Sequence, residues 1–223
     1  MVSGLTIRRL RREELGVKNS PVSTSGAADV PTLRWRRSWS LGWLHLRATE
    51  NGLSDLSIAR SSDGVEDALD AFMSDESEIN YEILAKESPS LASVVRHAND
   101  ALTRYLDEDL GDPDAFVDVP VDLSGLTSFG RTVLETLRGV KAGELITYGA
   151  LAQTIGSPHS ARAVGGAVGA NPLLIAIPCH RVVAADGSLG GFSAGLGVKR
   201  WLLAHEGVAA RPGGWESRRR PVS

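Results

Sequence analysis

The chain carries one cysteine, Cys179, and a histidine, His180, follows it directly. A lone thiol excludes an intramolecular disulfide framework and any multi-cysteine zinc site, so no metal centre is expected. Cys179 is therefore either inert core or a nucleophile. Pro178 suits the first position of a short helix, which would set Cys179 near the positive end of that helix. There the helix dipole and a nearby imidazole both favour thiolate, the nucleophilic form. Adjacent residues point about 100° apart on a helix and to opposite faces of a strand. Cys179 and His180 would then meet only through a turn or an intervening water. The pair alone leaves a buried structural cysteine open as the alternative.

The elements that must position this pair lie just before it. Phe129, Val133, Leu134 and Leu137 recur at helical spacing, and residues 139–143 close that helix with glycines at each end. Thr147 reads as an N-cap before Tyr148, Leu151, Ala152 and Ile155. Gly156, Ser157 and Pro158 form a turn, and Ser160 caps a second short helix over 161–170. Two short helices joined by such a turn resemble a helix-turn-helix. The second helix holds Gly165, Gly166 and Gly169, each costing roughly 1 kcal/mol relative to alanine. Close approach of another surface would explain that composition, and so would tight packing inside the protein. Arg162, a lone long cation on a smooth helix, favours entry into a narrow groove. Asn171 and Pro172 then lead through the apolar run 173–177 to Cys179.

The composition, 42% hydrophobic and 23% charged over 223 residues, is that of a folded soluble protein. No apolar run approaches the roughly 20 residues needed to span a bilayer, and no secretory signal opens the chain, so no membrane association and a cytoplasmic location are expected. Charge is uneven. Residues 31–123 hold 8 Lys/Arg against 19 Asp/Glu, whereas residues 124–210 hold 7 against 4. A mildly basic C-terminal half is compatible with a phosphate backbone as partner. Four parts are expected: a loosely attached extension over 1–30, an α+β structural unit over 31–122, the chemistry-bearing unit over 123–210, and a basic tail over 211–223. In the α+β unit, Leu41, Trp43, Leu46 and Ala48 alternate before Asn51-Gly52, and Leu53, Leu56 and Ile58 follow, which predicts a β-hairpin. Helices are predicted over 64–73 and 90–107, the latter with Leu91, Val94, Val95, Ala98, Leu102 and Leu106 on one face. Val117, Val119 and Val121 predict a further strand.

Pro178-Cys179-His180-Arg181-Val182 stands unbroken, and with it Ala161 to Ala167 as ARAVGGA, Asn171-Pro172, Tyr148 and the stretch 190–207. In these residues the chain resembles the O6-alkylguanine-DNA alkyltransferases. Residues 124–208 carry the resemblance in order and spacing. It implies an α+β fold with a small sheet-and-helix unit ahead of a mainly helical domain containing a helix-turn-helix. It also implies irreversible, once-only transfer of an alkyl group from O6 of guanine in double-stranded DNA to Cys179, without a cofactor, by a monomer. By the same resemblance His180 is the water-linked base, Glu206 orients it, and Asn171 braces the site. Tyr148 contacts a phosphate and supplies a proton to the departing guanine. Arg162 fills the gap left by a flipped nucleotide, with Ala161, Ala163 and Gly165 on the same DNA-facing helix. Val182, Phe192, Ser193 and Lys199 are the implied pocket residues. Two departures stand out: Phe192 replaces a tyrosine common in the family, and Ala194 a glycine.

Three other readings compete. A non-catalytic lesion binder of the alkyltransferase-like type carries another residue at the cysteine position, whereas Cys179 is present. A helix-turn-helix regulator needs polar base-reading side chains, and residues 163–170 offer none. A Cys-His hydrolase needs an oxyanion hole and would turn over repeatedly.

Overall fold

The computed structural model describes residues 31–59, 74–75, 79–107, 111–211 and 214–216. The helix expected over 64–73 and the extension over 1–30 lie outside the described residues, as does most of the tail.

Alternating apolar residues build an antiparallel meander of β1 (Thr32–Trp39), β2 (Gly42–Thr49) and β3 (Gly52–Ala59). A short β4 (Ser74–Asp75) pairs in parallel with β1, giving the sheet order β3-β2-β1-β4. The Asn51-Gly52 turn falls between β2 and β3 as predicted, with β1 as an additional strand. Leu33, Trp35, Leu44, Leu46, Leu53 and Leu56 point inward and are buried. Against them packs α2 (Pro89–Leu106), preceded by the short α1 (Tyr81–Glu87). Ser88 caps α2 by accepting from the Leu91 amide, with Pro89 at its start. Its predicted apolar face is buried from Leu91 to Leu102, Leu106 only partly. Each fully buried Leu or Val on that face contributes about 1.5–3 kcal/mol on leaving water.

The strand predicted through Val117 to Val121 does not form. Residues 112–119 fold into successive turns in which the Ala115, Val117 and Val119 amides donate three residues back. The Arg138 guanidinium takes the carbonyls of Phe116, Val117 and Val119, which a strand would offer to a neighbour. Only Val121 makes a bridge, to Leu53 of β3. There the chain passes so close that a Cβ on Gly52 would lie 2.6 Å from the Val121 carbonyl carbon, at a φ of +154°.

The second half consists of α3 (Ser128–Arg138), β5 (Ile146–Thr147), α4 (Tyr148–Thr154), α5 (Ala161–Gly169), a single 3-10 turn (Cys179–Arg181), β6 (Val182–Val183) and α6 (Leu196–His205). β7 (Ala209–Arg211) and β8 (Gly214–Glu216) form a final small hairpin. One apolar core runs from Trp35 in β1 to Cys179 and Leu202. β3 binds the segment leading to Cys179: the Leu56 amide donates to the Pro172 carbonyl and the Leu174 amide to the Leu56 carbonyl, both at 2.8 Å. The edge of the first sheet thus fixes the approach to the thiol. No helix among the described residues is long and apolar enough to cross a membrane.

Candidate active site

Cys179 lines a cavity of about 410 Å³ together with Tyr148, Gly165, Val168, Gly169, Gly191, Phe192 and Ser193. The run 173–177 is held in a tight path beneath it. Asn171 donates to the carbonyls of Leu173 (3.3 Å) and Ile177 (2.9 Å) and accepts from the Leu173 amide (3.0 Å). Ile175 adopts a φ of +69°, strained for a β-branched residue, inside this braced loop.

The expected helix N-terminus at Cys179 is reduced to one 3-10 turn, too short to supply much dipole. Burial dominates and raises the thiol to about 11, only partly offset by the Asn171 hydrogen bond, the Lys199 charge and the amides of Cys179 and His180. The resting state is therefore a thiol and not the thiolate expected from the sequence, and reaction requires a base.

His180, the base that the resemblance implies, is the next residue. Its ring is fully buried, and Nε2 lies 2.8 Å from Oε1 of Glu206, the residue ending α6. Glu206 is buried, yet the charge that His180 carries once protonated, its hydrogen bond, and the hydrogen bond and charge of Arg181 outweigh the desolvation and lower it to about 2. An ionised carboxylate accepts, so Nε2 carries the proton and Nδ1 the lone pair. Nδ1 is buried and has no hydrogen-bond partner among the described residues. The imidazole is thus held in the tautomer of a base, without a direct bond to Cys179.

Tyr148 opens α4, whose Thr147 cap accepts from the Ala150 amide at 3.1 Å as predicted. Burial, then the Cys179 charge, raise the phenol, so it remains a proton donor. Its hydroxyl sits where Gly190 approaches at φ +63°; a Cβ there would lie 3.1 Å from the oxygen. Ser160 precedes α5 as expected, but its hydroxyl donates to the Ser157 carbonyl and does not cap the helix.

On α5, Arg162, Ala163, Gly166 and Gly169 form the exposed face, while Val164 and Val168 are buried. A Cβ added at Gly166 or Gly169 would meet nothing within 4 Å. Their smallness therefore serves no packing inside the protein. Gly165 belongs elsewhere: it faces the Tyr148 ring and lines the cavity. Ala161 is partly covered at the start of the helix.

Of the four expected pocket residues, Phe192 and Ser193 line the cavity and Val182 and Lys199 do not. Lys199 is fully buried, its ammonium donating to the carbonyls of Val182 (2.7 Å), Leu189 and Gly191 (3.4 Å). It ties the cavity's wall from behind, and burial lowers it to about 8.

The sequence reading missed three residues. Arg181 is buried and forks onto Glu206, Nε to Oε2 at 2.8 Å and Nη2 to Oε1 at 2.9 Å. Its other contacts are Asp114 at 3.2 Å and the carbonyls of Pro113 and Val140. Tyr105 of α2 donates to Glu206 Oε1 at 3.0 Å from 101 residues away in sequence. Arg181 stood inside the quoted motif; nothing local to Tyr105 or Asp114 marks them. No group of three or more His, Cys, Asp or Glu that could hold a metal ion occurs among the described residues.

A buried thiol lining a cavity, a histidine next to it held by a carboxylate, and a smooth exposed helix alongside fit a protein that uses its cysteine as a nucleophile. The sequence profile of the 6-O-methylguanine DNA methyltransferase DNA-binding domain matches residues 128–208. The chain is 38% identical to the human methylated-DNA–protein-cysteine methyltransferase over 175 residues, 75% of this chain and 76% of that protein. It is 46% identical to the Salmonella typhimurium protein of the same name over 93 residues, 42% of this chain and 54% of that one. Its fold is similar to that of Mycobacterium tuberculosis OGT in complex with DNA, with a TM-score of 0.57, 31% identity, and coverage of 78% of this chain and 91% of that one. The chain belongs to the methylated-DNA–protein-cysteine methyltransferase family.

Proposed function

We propose that this protein repairs DNA by direct reversal, taking an alkyl group from O6 of guanine in duplex DNA onto Sγ of Cys179, once per molecule. The observation that carries the reading is Cys179 lining the cavity while the adjacent His180 is held by Glu206. The smooth α5 face with Arg162 supports duplex DNA as partner, and the likeness to a DNA-bound relative agrees.

An O6 substituent is reachable only once its base leaves the stack, which costs a few kcal/mol. Arg162, exposed on α5, would offset this by filling the vacated space. The everted guanine enters beside Tyr148, Phe192 and Ser193. The thiol proton passes through a bridging water to His180 Nδ1, and Glu206 stabilises the imidazolium that forms. Sulfur attacks the alkyl carbon, the carbon–oxygen bond breaks, and the electron pair remains on guanine, which Tyr148 protonates. The product thioether is stable, and among the described residues none lining the cavity is equipped to cleave it, so the protein is consumed. The protein acts as a monomer in a reducing compartment, the cytoplasm. A lesion binder needs no acceptor thiol, which disfavours that reading.

Incubation with duplex containing O6-methylguanine, followed by intact-mass measurement, should show one added methyl per chain, located on Cys179. Cys179→Ala should gain none and still bind the duplex. An unmodified wild-type thiol after excess lesion would overturn the proposal.

A further inference from the structure

Glu206 is more heavily engaged than a simple histidine-orienting carboxylate. Its Oε1 accepts from three donors, His180 Nε2, Arg181 Nη2 and the Tyr105 hydroxyl, while Oε2 accepts from Arg181 Nε. The His180 and Arg181 donors belong to the 3-10 turn that bears Cys179, but Tyr105 comes from α2 in the first half of the chain. We propose that Tyr105 is a positioning residue for alkyl transfer: its hydroxyl fixes Glu206 Oε1 toward His180 and draws charge from that oxygen, setting how strongly Glu206 supports the imidazolium. This rests on the transfer reading above.

The placement of Tyr105 supports a specific role. The residue is 1% exposed, and a buried phenolic oxygen must find a partner or lose stability. Burial and the Glu206 charge raise its ionisation well above the ordinary range, so it donates throughout the working pH. Its ring is fixed by Phe116 and by His205, whose Nε2 hydrogen-bonds to the Tyr105 backbone carbonyl. The charged and titratable groups around Glu206 are His180 and Arg181 on the turn, Tyr105 on α2, His205 on its own helix, and Asp114 reached through Arg181. Of these, Tyr105 is a neutral donor on the same oxygen that faces His180. It competes with the imidazole for that oxygen's electron density.

Removing the hydroxyl leaves Oε1 with more charge, so the imidazolium is better stabilised and the neutral base is lost at higher pH. In Tyr105→Phe the acid limb of the pH–rate profile should move upward by roughly half a pH unit, about a threefold loss of rate on that limb. Two reactions should be followed on the intact protein: transfer from O6-methylguanine duplex, and alkylation of Cys179 by iodoacetamide, which reads the relay without DNA. Val94→Ala, which truncates a buried side chain about three turns before Tyr105 on α2, serves as the control. It should lower thermal stability and leave both profiles in place. Coincident profiles for Tyr105→Phe and wild type in the iodoacetamide reaction would overturn the inference. Failure of wild type to take methyl from DNA, with the iodoacetamide shift still present, would instead sink the transfer reading and leave the role of Tyr105 standing.

Discussion

At the scale of single residues, the site depends on a carboxylate kept charged in a buried place. Glu206 titrates at about 2 in the folded protein against 4.5 as its ordinary value. A carboxylate lowered in this way stabilises the fold fully above its unfolded value, and that contribution disappears as pH falls from 4.5 to 2. The full contribution is on the order of 3 kcal/mol. Glu206→Gln removes the charge but leaves Arg181 buried without its forked partner, which costs about 3–5 kcal/mol. Chemical denaturation at pH 7 should show that loss. Because the variant lacks the titrating group, the gap between it and wild type should narrow between pH 4.5 and 2. A gap of constant size would show that the charge at position 206 does not matter to folding.

At the scale of elements, α5 trades intrinsic stability for a bare surface. Gly166 is exposed and a Cβ there meets nothing, so Gly166→Ala should gain about 0.5–1 kcal/mol of helix stability. The same methyl should weaken binding to duplex DNA if that face meets a groove. Thermal unfolding and a binding titration on one sample check both, and a more stable variant with unchanged affinity would point to a face that DNA does not touch. This helix was readable in the sequence because its glycines and single arginine are local. So was the amphipathic face of α2, which a period of 3.6 reveals. The turns over 112–119 were not. Val117, Val119 and Val121 mimic strand alternation, and only the distant Arg138 guanidinium shows where the carbonyls of Val117 and Val119 go. Lys199 was expected in the pocket, but the carbonyls that capture it are contributed by backbone that no side-chain pattern announces. Tyr105 and Asp114 were invisible for the same reason: their partners are set by tertiary contact.

At the scale of the whole molecule, the boundary expected near residue 122 coincides with no break in the core. Trp39 of β1 meets Trp201 of α6 edge-on at 4.9 Å, and Trp201 stacks on His205 at 9° between planes. Together with the Leu56 bridge to 172–174, these contacts should couple the two halves into one unfolding event. Tryptophan fluorescence and far-ultraviolet circular dichroism should then give coincident urea transitions. Separate midpoints would mean that the sheet and the thiol-bearing half melt independently, and that the sheet edge does little to hold the approach to Cys179.

The protonated resting state of Cys179 has a consequence for a protein that is used up in a single event. A sulfur masked by its own proton reacts more slowly with stray oxidants and soluble electrophiles than a thiolate would. Under the proposed transfer, spontaneous loss would thereby be slowed, and each copy would last until a lesion enters the cavity.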